Sequence, residues 1–183
     1  MSFTFPRAAK KQPGYSAEQV DGFLARARAQ FTNPVDGGLT AYDVRNTEFD
    51  LVHGGYDLAI VDGAMDKLED SFASRELQRQ KTERGSFALD DRYTRVVELI
   101  RGRVERPRGQ RFSNTGFLLR GYSRKQVDAL CEHILRHLES GAPLAIDEVR
   151  RVVFNVKRLG YVEAQVDAFI DRVIEAIQIE QNR

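Results

Sequence analysis

The sequence predicts an all-α protein: four helical repeats arranged as two tandem pairs, with a bridging helix between the pairs and no long coiled coil. Three observations carry this expectation. The motif Gly-Tyr-x-x-x-x-Val-Asp occurs four times with identical spacing, at Gly14-Tyr15 and Val20-Asp21, Gly55-Tyr56 and Val61-Asp62, Gly121-Tyr122 and Val127-Asp128, and Gly160-Tyr161 and Val166-Asp167. Each copy leads into a stretch whose apolar residues recur at three- and four-residue intervals, the period of a helix with one buried face. The segments ahead of the motifs alternate short, long, short, long, the mark of a duplicated pair. The first pair is expected over 1–80 (copies at 5–31 and 39–80) and the second over 112–183 (copies at 112–140 and 144–183). Residues 81–111 form the linker.

Each motif reads as a helix start. In the first copy Ser16 is a good N-cap and Gln19 completes an S-x-x-Q capping box, with Tyr15 and Val20 at the two positions of a hydrophobic staple. The third copy repeats this with Ser123, Gln126, Tyr122 and Val127. The second has Asp57 as cap, with Tyr56 and Val61 as staple. The fourth keeps Tyr161 and Val166 but has Val162 at the cap position, so its start is expected to be weaker. The glycine before each tyrosine permits a sharp chain reversal, with positive φ as one way to make it.

The expected buried stripes are Val20, Phe23, Leu24, Ala27 and Phe31; Val61, Met65, Leu68 and Phe72; Val127, Leu130, Cys131, Ile134 and Leu138; and Val166, Phe169, Ile170, Val173, Ile174 and Ile177. The long leads add two short helices, Tyr42 to Phe49 and Asp147 to Val156. The two long helices of a pair are then expected to lie parallel, stripe against stripe. In the linker, Tyr93, Val96, Val97, Ile100 and Val104 give helical spacing from Asp90 to Val104, between loops at Gly85 and at Pro107-Arg108-Gly109. Two readings stand for the motif aspartates. They are solvated acids near the positive end of the helix dipole, or they pair with a basic residue of a neighbouring repeat.

Composition fits a folded globular chain, with 42% hydrophobic and 30% charged residues. Lys+Arg number 28 against 27 Asp+Glu, so net charge selects no partner and any nucleic-acid or membrane contact must come from local clusters. A lone cysteine, Cys131, rules out an internal disulfide and suits a reducing compartment. No run approaches the roughly 20 apolar residues needed to span a bilayer. The opening MSFTFPRAAKKQPGY lacks the apolar core of a secretory signal. The expected location is the cytoplasm.

The lead and motif of the second copy, LTAYDVRNTEFDLVHGGYDLAIVDGAMDKLE, resemble the N-terminal domain of DivIVA, the bacterial division and polarity family. That family shows Leu-Thr, Asp-Ile/Val, Phe, a basic Gly-Tyr and then Val-x-x-Phe-Leu. The fourth copy matches as well, and the first and third match from Gly-Tyr onward, about two thirds of the chain in all. The resemblance implies a non-enzymatic cytoplasmic scaffold or adaptor in cell division or polar growth, peripheral to the inner membrane at septum or pole. It implies protein partners from the division or wall-synthesis machinery, an anionic membrane surface, and homodimers. In the family the membrane contact is an apolar residue followed by a basic one directly before Gly-Tyr. Carried over, that tip is Leu119-Arg120 in the third copy and, in reversed order, Arg158-Leu159 in the fourth. The second copy has His53-Gly54, and the first Gln12-Pro13 with Lys10 and Lys11 nearby. The family continues into a long coiled coil, whereas no heptad pattern is sustained here. The repeats are therefore expected to pair within one chain, as an intramolecular version of the family's dimer. A soluble interaction module with this fold and no membrane affinity is the alternative.

Catalytic patterns are missing: no Gly-rich phosphate loop, no G-x-S-x-G, no H-E-x-x-H. His133 and His137 share a helix face, but Cys131 belongs to the apolar stripe and no third ligand follows, so neither metal nor cofactor is expected. Arg101, Arg103, Arg106, Arg108 and Arg111 form the densest basic cluster. With Glu98 and Glu105 interrupting it and no stacking aromatics, a solvated linker is favoured over membrane contact, and no nucleic acid is expected.

Overall fold

The computed structural model describes residues 4–9, 11–33 and 37–183. The chain is mostly helical and divides into two compact units, Met1–Arg79 and Gln80–Arg183. In order, the first unit holds strand β1 (Pro13–Tyr15), helices α1 (Ala17–Thr32) and α2 (Ala41–Arg45), strand β2 (Leu51–His53) and most of helix α3 (Leu58–Arg84). The second holds the end of α3, then α4 (Ser86–Val104), β3 (Arg120–Tyr122), α5 (Arg124–Ser140), α6 (Ile146–Arg150), β4 (Val156–Arg158) and α7 (Glu163–Asn182). Among the described residues no helix is long and apolar enough to cross a membrane.

The strands correct the purely helical expectation. Each unit contains one two-stranded antiparallel sheet, β1 with β2 and β3 with β4. In register, Pro13, Gly14 and Tyr15 face His53, Val52 and Leu51. Arg120, Gly121 and Tyr122 face Arg158, Lys157 and Val156. The short lead helices end early for the same reason. They were expected to reach Phe49 and Val156, but α2 stops at Arg45 and α6 at Arg150, and the chain beyond is extended to make the ladder.

Helix starts follow the sequence in part. Asp57 caps α3, with Oδ1 accepting from the Ile60 amide at 3.1 Å. Ser16 accepts from Gln19 N–H only at 3.5 Å, and Ser123 makes no side-chain cap at all. The two expected capping boxes are therefore not formed, because the glutamine side chains are engaged elsewhere. A complete box occurs instead at α2, where Thr40 and Asp43 satisfy each other's amides. Val162 offers α7 no side-chain cap.

In the first unit α1 and α3 run the same way. Val20 and Val61 share a cluster with Phe5 and Tyr56 near their first turns. Phe31 then meets Phe72 edge-on at 5.7 Å near the end of α1. Phe23, Ala27, Phe72 and Ala73 close the core with Ala41 and Val44 of α2. Buried Glu69 of α3 accepts from Arg45 Nε at 3.0 Å, fastening α2 to α3. In the second unit α4 packs on both α5 and α7. It runs antiparallel to α7: Arg92 reaches Glu175 at 2.7 Å, and Arg183, just past the end of α7, lies over Tyr93 and 4.0 Å from Asp90 near the start of α4. Of the expected α7 stripe all but Ile170 are buried, and Ala176, Gln178 and Ile179 are buried besides.

Candidate functional site

Within each unit the two Gly-Tyr motifs lock onto each other. Tyr15 N–H donates to Tyr56 O at 3.0 Å and Tyr56 N–H returns to Tyr15 O at 2.8 Å. Tyr122 and Tyr161 exchange the same two bonds at 3.0 and 2.9 Å. This explains the glycines. None of Gly14, Gly55, Gly121 and Gly160 has positive φ, which corrects the conformational expectation. They are glycines because the chains touch: a Cβ on Gly121 would stand 2.1 Å from Tyr161 O, and one on Gly160 2.2 Å from Gly121 O.

Side chains cross between motifs in the same way. Tyr56 Oη donates to Asp21 at 3.0 Å and Tyr161 Oη to Asp128 at 2.9 Å. Tyr15 and Tyr122 stand close enough to Asp62 and Asp167 for those carboxylates to raise their hydroxyl pKa values. Each motif aspartate thus faces the tyrosine of the other copy instead of a basic residue of a neighbouring repeat; Asp21, Asp62 and Asp167 are still solvent-exposed, as the solvated-acid reading has it, while Asp128 is buried. Among the described residues only Asp128 adds a cation, with Arg111 Nη1 at 3.5 Å. Burial, and secondarily the bond to Asp128, pushes the Tyr161 hydroxyl up to about 12. Tyr15, Tyr56 and Tyr122 are raised too, burial first and the aspartate next. Asp167 is raised by its burial. The lead phenylalanines cross as well: Phe5 packs on Tyr56, Phe49 on Tyr15, Phe112 on Tyr161 and Phe154 on Tyr122. So do the glutamines. Asp50 N–H donates to Gln19 Oε1 at 2.7 Å, Asn155 N–H to Gln126 at 2.8 Å, and Ser113 N–H to Gln165 at 3.0 Å. A swapped contact of this kind leaves no local sequence pattern.

At one end of the second unit the strands project an apolar tip. A turn closed by Leu119 N–H to Gly116 O at 2.9 Å lies beside Gly160, whose carbonyl accepts from Thr115 N–H at 2.7 Å. Phe117, Leu118, Leu119 and Leu159 are 72%, 90%, 64% and 44% exposed. Arg120 and Arg158 stand directly opposite each other in the ladder, and Lys157 is next to them. All three cations are exposed, and among the described residues none has a carboxylate partner. Like charges facing across a strand pair destabilise it in water. Leu159 also holds φ at +53°, where the first unit has Gly54 at +71°. Sequence reasoning named Leu119, Arg120, Arg158 and Leu159 but missed Phe117 and Leu118. The signal was the unbroken Phe-Leu-Leu run between Gly116 and Arg120. The corresponding end of the first unit carries Gln12-Pro13 and His53-Gly54, with Leu51 and Val52 exposed on β2. Lys10 lies outside the described residues.

The arginine cluster is a solvated linker only in part: Arg106 and Arg108 are exposed, whereas Arg103 and Arg111 are drawn into the fold. Arg111 is buried and donates to Val104 O at 3.0 Å and Asp128 O at 2.7 Å, tying the end of α4 to α5. Arg103 donates to Arg111 O at 3.0 Å and lies over the Phe112 ring, and Arg108 grips Glu132. His133 sits between Pro143 O and Glu148, and His137 between Ala142 O and Glu180. Cys131 is fully buried, its thiol pushed up to about 12 chiefly by burial. Among the described residues no three histidine, cysteine or carboxylate side chains group as a metal site. Comparison of the chain with family models, curated proteins and solved structures found no match.

Proposed function

We propose that the chain is a non-enzymatic scaffold of the DivIVA-like class, built from four repeats in two intramolecular pairs, acting in bacterial cell division or polar growth. It gathers protein partners of the division or wall-synthesis machinery at the inner membrane surface. Support for the repeat reading comes from the reciprocal contacts inside each unit, where every motif tyrosine, aspartate and lead phenylalanine is used by the other copy. The observation that carries the functional reading is the tip of the second unit, four exposed apolar side chains next to the β3–β4 ladder that carries Arg120, Lys157 and Arg158. Inserting one leucine contributes about 1.5–3 kcal/mol, and each cation near an anionic leaflet about 1 kcal/mol. The facing arginines, unfavourable in water, would then meet lipid phosphates.

A second reading, a soluble interaction module, draws on the first unit, whose end offers Gln12-Pro13 and His53-Gly54 instead of a leucine-arginine tip. Flotation with anionic phospholipid vesicles decides between them. Wild type is expected to float and Leu119→Glu to stay behind. Equal flotation of the two, or none, would overturn the membrane reading.

A further inference from the structure

A cavity of about 390 Å³ opens between the loop at Pro107–Gly109 and the first turn of α5, lined by Arg108, Gly109, Arg124, Lys125 and Asp128. Three cationic side chains from two separate segments converge on it. Its one acid is already occupied. Asp128 Oδ2 accepts from Gly109 N–H at 2.8 Å, Oδ1 accepts from Tyr161 at 2.9 Å, and Arg111 stands at 3.5 Å. Arg108 grips Glu132 through Nε and Nη2, which leaves Nη1 unused. Arg124 and Lys125 are exposed and have no protein partner among the described residues. Gly109 holds φ at +77°, and Arg124 Nη1 lies beside it, 3.8 Å from where a Cβ would stand. Guanidinium forks match phosphate oxygens in pairs, and neighbouring cations repel until an anion fills the space between them.

We propose that this cleft binds a phosphate group, held by Arg124 and Lys125 with Arg108 Nη1 completing the set. The phosphate belongs to a soluble phosphate ester or to a lipid headgroup, and the site uses none of the apolar tip residues. Its test is independent of membrane binding. The full-length protein, isotopically labelled, is titrated with inorganic phosphate at constant ionic strength and followed by backbone amide NMR. Saturable shifts are expected at Gly109, Arg124 and Lys125. The Arg124→Gln/Lys125→Gln variant should bind at least about tenfold more weakly, while Arg84→Gln, an exposed arginine elsewhere, should bind as wild type does. Absence of saturable shifts, or equal affinity in wild type and the double variant, would overturn the proposal. With phosphate binding established, vesicles containing phosphatidylglycerol separate the sources. Reduced flotation of the double variant assigns a lipid headgroup, and flotation equal to wild type assigns a soluble phosphate ester.

Discussion

Replacing Gly121 with alanine tests the interlock where it is tightest. The added Cβ would meet Tyr161 O at 2.1 Å, Thr115 Cγ2 at 2.8 Å and Tyr161 C at 2.9 Å. Two of these are backbone atoms, and no rotamer change can relieve them. Separating the strands lengthens both Tyr122–Tyr161 backbone bonds, each worth about 1 kcal/mol. Overpacking adds about 1–3 kcal/mol. The expected loss is about 3–5 kcal/mol, a large part of the 5–15 kcal/mol that holds an ordinary domain together. Gly102→Ala is the matched control. That position lies in α4 with nothing near the added methyl, so alanine there should stabilise by about 0.5–1 kcal/mol through helix propensity. Cys131 supplies the assay, being buried in the second unit with a thiol raised to about 12. Its labelling by a thiol reagent across a urea series reports unfolding of that unit alone. If Gly121→Ala unfolds within about 1 kcal/mol of wild type, the claim that the glycines exist for backbone contact is refuted.

Other outcomes follow from the same geometry. Leu159→Gly should stabilise the second unit by about 0.5–1 kcal/mol, because a left-handed leucine costs about 1–2 kcal/mol and glycine's looser unfolded chain offsets part of that. The same variant should float less with anionic vesicles, and a change of stability and flotation in the same direction would contradict the tip assignment. Arg45→Ala should destabilise the first unit by about 1–3 kcal/mol in urea unfolding by removing the charged hydrogen bonds that buried Glu69 accepts from it, and a change under about 0.5 kcal/mol would remove that pair from the account. The contribution of Tyr161 to stability should be complete below pH 10 and be lost between pH 10 and about 12, since the folded protein holds its proton above the ordinary 10.0 while the unfolded chain releases it there. In Tyr161→Phe that part of the alkaline loss should be absent from a pH series of unfolding curves.

Helix positions were legible because they depend on neighbours in sequence. Asp57 as cap, the starts after Ser16 and Ser123, and buried Val20, Val61, Val127 and Val166 follow from local spacing. The strands were not, since Pro13–Tyr15 and Leu51–His53 are too short to alternate visibly and exist only by pairing across the unit. For the same reason Gln19 and Gln126 looked like box-closing residues, when each satisfies an amide of the other copy's lead. Arg111 resembled its exposed neighbours in the linker, and only the approach of α5 to the end of α4 buries it. The tip was half legible. Leu119-Arg120 could be placed by position before Gly-Tyr, whereas Phe117 and Leu118 required the turn that lifts them into solvent.

The central functional claim is that the protein works at the dividing or growing membrane through the tip of its second unit. Fluorescence imaging of a tagged copy at native expression in its own host tests it most directly, beside a copy carrying Leu118→Glu and Leu119→Glu. Septal or polar foci are expected for wild type and a diffuse signal for the variant. A diffuse wild-type signal, or foci that survive both substitutions, would contradict it.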